Sequence, residues 1–242
     1  MRSWRTVDLV GLLALVVLLA LPAVGPSWLV GDLAMYLSYA LLAVALAFAW
    51  GHCGLLSLGH GVFFGIGAYA MGTLTLGMLP GLEDVRSTWL GLVFAVVASG
   101  ATAWTIGWFT FAGRGLPGAF FGIVTLALAV VFERLAINWD WLGGLNGLMN
   151  VPPITLGLNG DGAELWEPVP LFYLMLGVLA ATVAGLTVYQ RSDGGLALAA
   201  LRENELRARA LGYDTGALKR RAFALSGAVA GLAGALFVVQ FG

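Results

Sequence analysis

Charge is scarce in this chain. Only 10% of its 242 residues are Asp, Glu, Lys or Arg, against 60% hydrophobic. A soluble domain carries about one-quarter charged residues, so this composition argues against a water-soluble globule. Cysteine is nearly absent. The lone Cys53 excludes an internal disulfide and a thiolate metal cluster, and it reads as a small packing residue near a helix end. No G-x-x-x-x-G-K-[ST] run is present, so no nucleotide site is expected in this chain. No HExxH, paired carboxylate cluster or nucleophile motif falls within the apolar runs. No enzymatic chemistry, metal or cofactor is therefore expected. Those runs hold almost no ionisable groups, which counts against a proton pump or voltage sensor. The net charge of -1 says little by itself, and no nucleic-acid partner is expected.

What is abundant is apolar length. Mean hydropathy is +0.92, and about 20 apolar residues cross a hydrocarbon core of about 30 Å. Seven spans are expected, near 7–25, 33–50, 57–79, 89–111, 117–137, 169–189 and 222–241, making one all-α polytopic transmembrane bundle. The intervening turns hold the polar residues, at Gly31-Asp32, Gly81–Ser87, Gly113–Pro117 and the long 138–168 segment. Lys and Arg set the orientation. With Arg2 and Arg5 cytoplasmic, Arg114 and the whole 190–221 loop also fall inside. Glu83, Asp84, Asp140, Asp161, Glu164 and Glu167 then fall outside, with Arg86 the one basic residue in an outer loop. The first run also has features of a cleaved signal, ending in Leu21-Pro22-Ala23-Val24-Gly25. It continues directly toward a second span, so retention as a first helix is expected. The chain stops at Gln240-Phe241-Gly242, at the edge of the last span with no flanking anchor, and C-terminal truncation is expected.

Residues 190–221 interrupt the apolar pattern with seven of the twelve basic residues. Leu198, Leu201, Ala208 and Leu211 recur at helical spacing, with Arg202, Glu203, Glu205, Arg207 and Arg209 between them. Glu203→Arg207 and Glu205→Arg209 are favourable i,i+4 pairs, and Gly212 suits a C-cap. The pattern predicts one amphipathic helix of about three turns on the membrane surface. Two readings fit it: a groove-docking helix for a partner, or a surface helix that covers helix ends and touches anionic lipid.

Residues 50–72 are glycine-rich and run into the third span. Gly61/Gly65 and Ala68/Gly72 have small-xxx-small spacing, which lets another backbone approach closely; Gly227/Gly231 and Gly231/Ala235 repeat it in the last span. Ser57, Gly59 and His60 open the third span, where irregular backbone could line a cavity. With no acidic neighbour in sequence, His60 reads as a hydrogen-bonded structural histidine. The 138–168 loop, with Gly143-Gly144 and Asn146-Gly147 turns, is long enough to fold locally and receive a partner. Its Trp139 and Trp141 suit an interface belt. Glu133 and Arg134 close the fifth span as snorkelling side chains.

Several of these segments together resemble a known family. GLLSLGHG (54–61) continuing into FFGIGAYA (63–70), then FFGIVTLALA (120–129), GGLNG (143–147), ENELRARALGYD (203–214) and AFALSGAVAGLAGAL (222–236) occur in order. They resemble the permease subunits of branched-chain amino-acid ABC importers, a family that also includes urea importers. The resemblance implies a second homologous permease, two cytoplasmic ATPases docking on the 196–213 helix, and a periplasmic or extracellular binding protein. It places the chain in the plasma membrane of a bacterium or archaeon, the inner membrane where there are two. Leu201, Arg202, Glu203, Glu205, Leu206, Arg207, Arg209 and Gly212 would couple to the ATPases. Ser57, Gly59, His60, Gly61 and Thr125 would line the substrate pathway. The Glu-Ala-Ala core of other importers' coupling loops is not literal here; Glu203-Asn204-Glu205 stands near it. An ion-coupled transporter or channel, and a membrane scaffold with a docking loop, are the alternatives from other classes. The former predicts broken helices with ion-coupling residues or a selectivity ring.

Overall fold

Long runs of Leu, Ala and Val in lipid have no water to satisfy their peptide groups, so each run must close its own hydrogen bonds as a helix. The computed structural model describes residues 2–111, 118–157 and 164–241. Among them lie α1 (Arg2–Val24), α2 (Ser27–Cys53), α3 (His60–Thr75), α4 (Thr88–Phe111), α5 (Gly118–Ile137), α6 (Pro168–Arg191), α7 (Asp193–Glu203), α8 (Glu205–Ala210) and α9 (Thr215–Val238). The described residues form no strand beyond an isolated Thr155–Glu164 bridge. Pro26 precedes α2 and Pro168 opens α6, where a missing N–H costs nothing. Gly54, at φ 68°, ends α2.

Each expected span falls on one of these helices, but not all are long enough to cross a membrane. Five are long and apolar enough: α2, α4, α5 from Phe120, α6 and α9. Helix α3 has 16 residues, about 24 Å at 1.5 Å per residue. The apolar part of α1, Leu9–Val24, is also short. The Gly113–Pro117 turn with Arg114, and Asp161, lie outside the described residues.

Helix α9 is the axis of the bundle, packed on α2, α3 and α4. Small residues make this possible. A Cβ on Gly67 would collide with the Gly231 carbonyl, one on Gly234 with the Phe64 carbonyl, and one on Gly231 with Ser99. Ser99 Oγ donates to Phe63 O at 2.9 Å, tying α4 to α3. The stripe Gly227/Gly231/Ala235 is therefore a packing face, as its spacing predicts. The Gly61/Gly65 pair is not: neither has an atom within 4 Å of an added Cβ. The neighbouring backbone approaches α3 on the side that carries Gly67 instead. Helix α5 sits at the edge and exposes Phe120, Ile123, Leu126, Val130 and Leu135.

Residues 138–157 fold back over α3 and α4. Val151 and Ile154 are buried, Leu148 covers Gly72, and Trp89 Nε1 donates to Thr155 O at 3.0 Å. Gly143, at φ 84°, lies against the Gly147 carbonyl with no room for a side chain. Trp139 and Trp141 are exposed and pair at 5.9 Å.

One boundary differs from expectation. Helix α9 starts at Thr215, not near 222, because Asp214 caps it by accepting the Ala217 N–H at 2.9 Å. Lys219, Arg220 and Arg221 thus lie inside the helix.

Candidate functional site

The first candidate is a buried polar seam at the break between α2 and α3. After Gly54 the backbone leaves the helix and returns to it only at His60. Gly59 presses on the Thr125 backbone so closely that a Cβ does not fit. Leu58 N–H donates to Thr125 Oγ1 at 3.1 Å, and that hydroxyl donates to Gly122 O at 2.9 Å. The fold therefore brings Ser57 and Gly59 of the break against Thr125 of α5, with His60 following Gly59 as the first residue of α3. Ser57, Gly59 and Thr125, with Val62, Phe63 and Leu128, line a cavity of about 10 Å³, the scale of a single water. Ser57 is 2% exposed, and its Oγ has no partner among the described residues.

His60 Nε2 lies 2.6 Å from Ser226 Oγ, which itself donates to Ala45 O at 2.6 Å. Because the serine has one proton, committed to Ala45, Nε2 must be the donor to Ser226. That fixes the tautomer and leaves Nδ1 as a buried acceptor with no partner among the described residues. Phe63 and Phe223 meet the ring edge-on at 5.6 and 6.0 Å. The seam thus joins α2, α3 and α9 by a single chain of hydrogen bonds, and among the described residues it leaves two buried polar atoms without partners, the Ser57 hydroxyl and His60 Nδ1. Gly61 faces open space beside it. Among the described residues no cluster of His, Cys, Asp or Glu could hold a metal.

The second candidate is the 190–221 segment, which is two helices rather than the one predicted. Asn204 takes an extended conformation (φ -156°, ψ 98°) that ends α7. Its side chain then caps α8 by accepting the Arg207 N–H at 2.9 Å. The break divides the predicted residues into two sets. Facing inward, Leu198, Leu201 and Ala208 are buried. Arg202 donates through Nη1 to Gly51 O and lies against Gly54, a cation on the C-terminal carbonyls of α2. Glu205 binds Lys219 Nζ at 2.7 Å and Arg209 at 3.3 Å, while Arg209 Nε donates to Thr215 Oγ1 at 3.0 Å. Facing outward are Glu203, Leu206 and Arg207, followed by Leu211 and Tyr213. Leu206 is 79% and Leu211 71% exposed.

Leu211 is therefore not part of the inward stripe that its spacing suggested, and Glu203 and Arg207 form no ion pair. The bend at Asn204 resets the phase of α8. Gly212, at φ 89°, ends α8 in a Schellman turn, with its N–H on Arg209 O at 2.9 Å and the Tyr213 N–H on Ala208 O at 3.2 Å. Sequence reasoning did not find Ser226, Lys219 or Asn204. Only Asn204 had a local signal, a capping side chain three residues before a run of Arg and Ala.

Residues 29–242 match the family model described as "Branched-chain amino acid transport system / permease component". The chain is 32% identical over 228 residues to the high-affinity branched-chain amino acid transport system permease protein LivM of Salmonella typhimurium. That alignment covers 86% of this chain and 52% of the relative. Against LivM of Escherichia coli it is 32% identical over 224 residues, with 84% and 51% covered. The chain thus spans about half the length of these curated relatives. No solved structure matches it.

Proposed function

Since the chain belongs to the family of branched-chain amino acid transport permease components, we propose that it is the membrane subunit of an ATP-driven importer for branched-chain amino acids. It is a multi-pass subunit of the inner membrane, with its N-terminus and the 190–221 segment on the cytoplasmic side. With a second, homologous permease it forms the translocation path. Separate ATPase subunits dock on the outward face of α8, and a binding protein delivers substrate to the 138–168 loop.

The observation that carries this reading is the way the docking segment grips both sides of the polar seam. Through Arg202, α7 holds the C-terminus of α2, and the next residues are the Gly54–Gly59 break. Through Glu205, α8 holds Lys219 of α9; two turns further along α9, Ser226 binds His60. An ATPase that pushes α7 and α8 therefore displaces α2 and α9 relative to each other, at the point where Ser57 and His60 present unpartnered polar atoms. In this conformation the seam is closed to anything larger than water. Alternating access follows when the two helices part and a small zwitterion can pass. The outward residues Glu203, Leu206, Arg207 and Leu211 supply the docking face, and Gly212 fixes its end.

ATP-dependent uptake tests the reading. Cells lacking their own leucine uptake, given this permease with its neighbouring transporter subunits, take up labelled leucine; a Leu206→Asp variant, folded equally well, does not. Leucine uptake driven by an ion gradient without ATP hydrolysis would refute it.

A further inference from the structure

A cavity of about 290 Å³ opens where the start of α9 meets the end of α4, away from the polar seam. Its lining includes Phe111, Arg209, Tyr213, Asp214, Gly216 and Arg220. The cations here differ in how they are satisfied. Glu205 engages both Arg209 and Lys219. Among the described residues Arg220 pairs with no carboxylate and its buried Nε has no hydrogen-bond partner. Its guanidinium instead stacks on two indoles, 4.6 Å from Trp104 and 4.9 Å from Trp108. Both indoles are partly exposed, at 38% and 56%, in the last two turns of α4. That is where tryptophan marks the boundary between acyl chains and headgroups.

The backbone adds donors. The N–H groups of Thr215 and Gly216, first in the 24-residue α9, have no acceptor among the described residues, and a helix start favours an anion. Asp214 is the opposing charge, but its carboxylate is turned to the Ala217 N–H. Arg209, Lys219 and Arg220 stand against Glu205 and Asp214, so the site keeps one positive charge in excess.

We propose that this cavity binds the phosphate of an anionic phospholipid from the adjoining leaflet. The guanidinium fork of Arg220 matches two phosphate oxygens, the open amides of α9 take a third, and the acyl chains lie along Trp104 and Trp108. Basic pockets between transmembrane helices hold lipid headgroups in this way. A free inorganic ion would use the cation and the amides but leave the indole surface idle.

The test is thermal unfolding of the full-length protein in mild detergent, titrated with phosphatidylglycerol, phosphatidylcholine or inorganic phosphate. Phosphatidylglycerol raises the midpoint saturably, and the other two do not. Arg220→Gln weakens its apparent affinity about tenfold or more, the loss expected for a charge-assisted hydrogen-bonded contact. Arg221→Gln, on an exposed neighbour outside the cavity, leaves it unchanged. Asp214→Asn keeps an equally good helix cap while removing the opposing charge, and tightens binding. Equal responses from wild type and Arg220→Gln overturn the proposal, as does an equal effect of phosphatidylcholine. Inorganic phosphate reproducing the shift overturns the lipid assignment in favour of a free-anion site. If Arg220→Gln does not fold, Asp214→Asn decides: no tightening refutes the site.

Discussion

Replacing Gly67 by alanine separates close backbone packing from mere glycine content. The Cβ would point at the carbonyl, carbon and Cα of Gly231, deep inside van der Waals contact, and none of these is a flexible side chain that can swing away. Relief requires α3 and α9 to part. Those helices are also held by Gly234 against Phe64, and Ser99 ties α3 to α4. Overpacking of this kind costs about 1–3 kcal/mol, and a rigid backbone on both sides puts Gly67→Ala at the upper end. About 3 kcal/mol lowers the folded-to-unfolded ratio by more than a hundredfold. The control is Gly65→Ala on the same helix, where the added methyl meets nothing within 4 Å. That change removes a poor helix former and is neutral, or stabilising by up to about 1 kcal/mol. Reversible unfolding of both variants in SDS–detergent mixtures measures the difference. Equal stabilities for Gly67→Ala and Gly65→Ala would refute the packing account.

Three further outcomes follow from the same geometry. Glu205→Gln leaves Lys219, whose side chain is 11% exposed, without its carboxylate; it destabilises by about 1 kcal/mol, below the roughly 1.5–3 kcal/mol of a buried charged hydrogen bond because Glu205 is itself one-third exposed. His60→Ala and Ser226→Ala are non-additive, with a coupling of about 0.5–3 kcal/mol in a double-mutant cycle of unfolding, as expected for bonded neighbours; additivity would break the proposed link between α3 and α9. Ser57→Ala removes a hydroxyl that bonds to nothing among the described residues, so thermal stability holds or rises while leucine uptake falls; unchanged uptake would remove Ser57 from the pathway.

The sequence made legible whatever rests on composition and local spacing. Apolar runs placed the long helices, and Gly212 was correctly seen as a helix terminator because its left-handed φ is a local demand. The packing role of Gly227 and Gly231 was also visible, since the stripe and its consequence lie on one helix. What failed was any question whose answer depends on a second element. Gly61, Gly65 and Gly67 are alike in sequence, and only the direction from which α9 approaches selects Gly67. Ser226 lies 166 residues from His60, and nothing in either segment announces the bond. The start of α9 was set too late because Lys219, Arg220 and Arg221 look like the end of an apolar span. Each has a reason to be in the helix: Lys219 meets Glu205, Arg220 stacks on two indoles, and Arg221 faces outward. Asn204 shows the opposite error. The periodicity continues through it on paper, while its capping preference divides the helix and turns Leu206 and Leu211 outward.

That division supplies the most direct test of the account, because it assigns neighbouring residues to different tasks. The full-length permease is expressed with its adjacent transporter subunits and captured in detergent, and the ATPase that accompanies it is quantified. Wild type retains the ATPase. A Leu206→Asp, Arg207→Glu variant loses it while unfolding at the same temperature as wild type, since both side chains face outward and bond to nothing among the described residues through their side-chain atoms. Undiminished ATPase on a well-folded double variant would contradict the claim that the outer face of α8 is the docking surface.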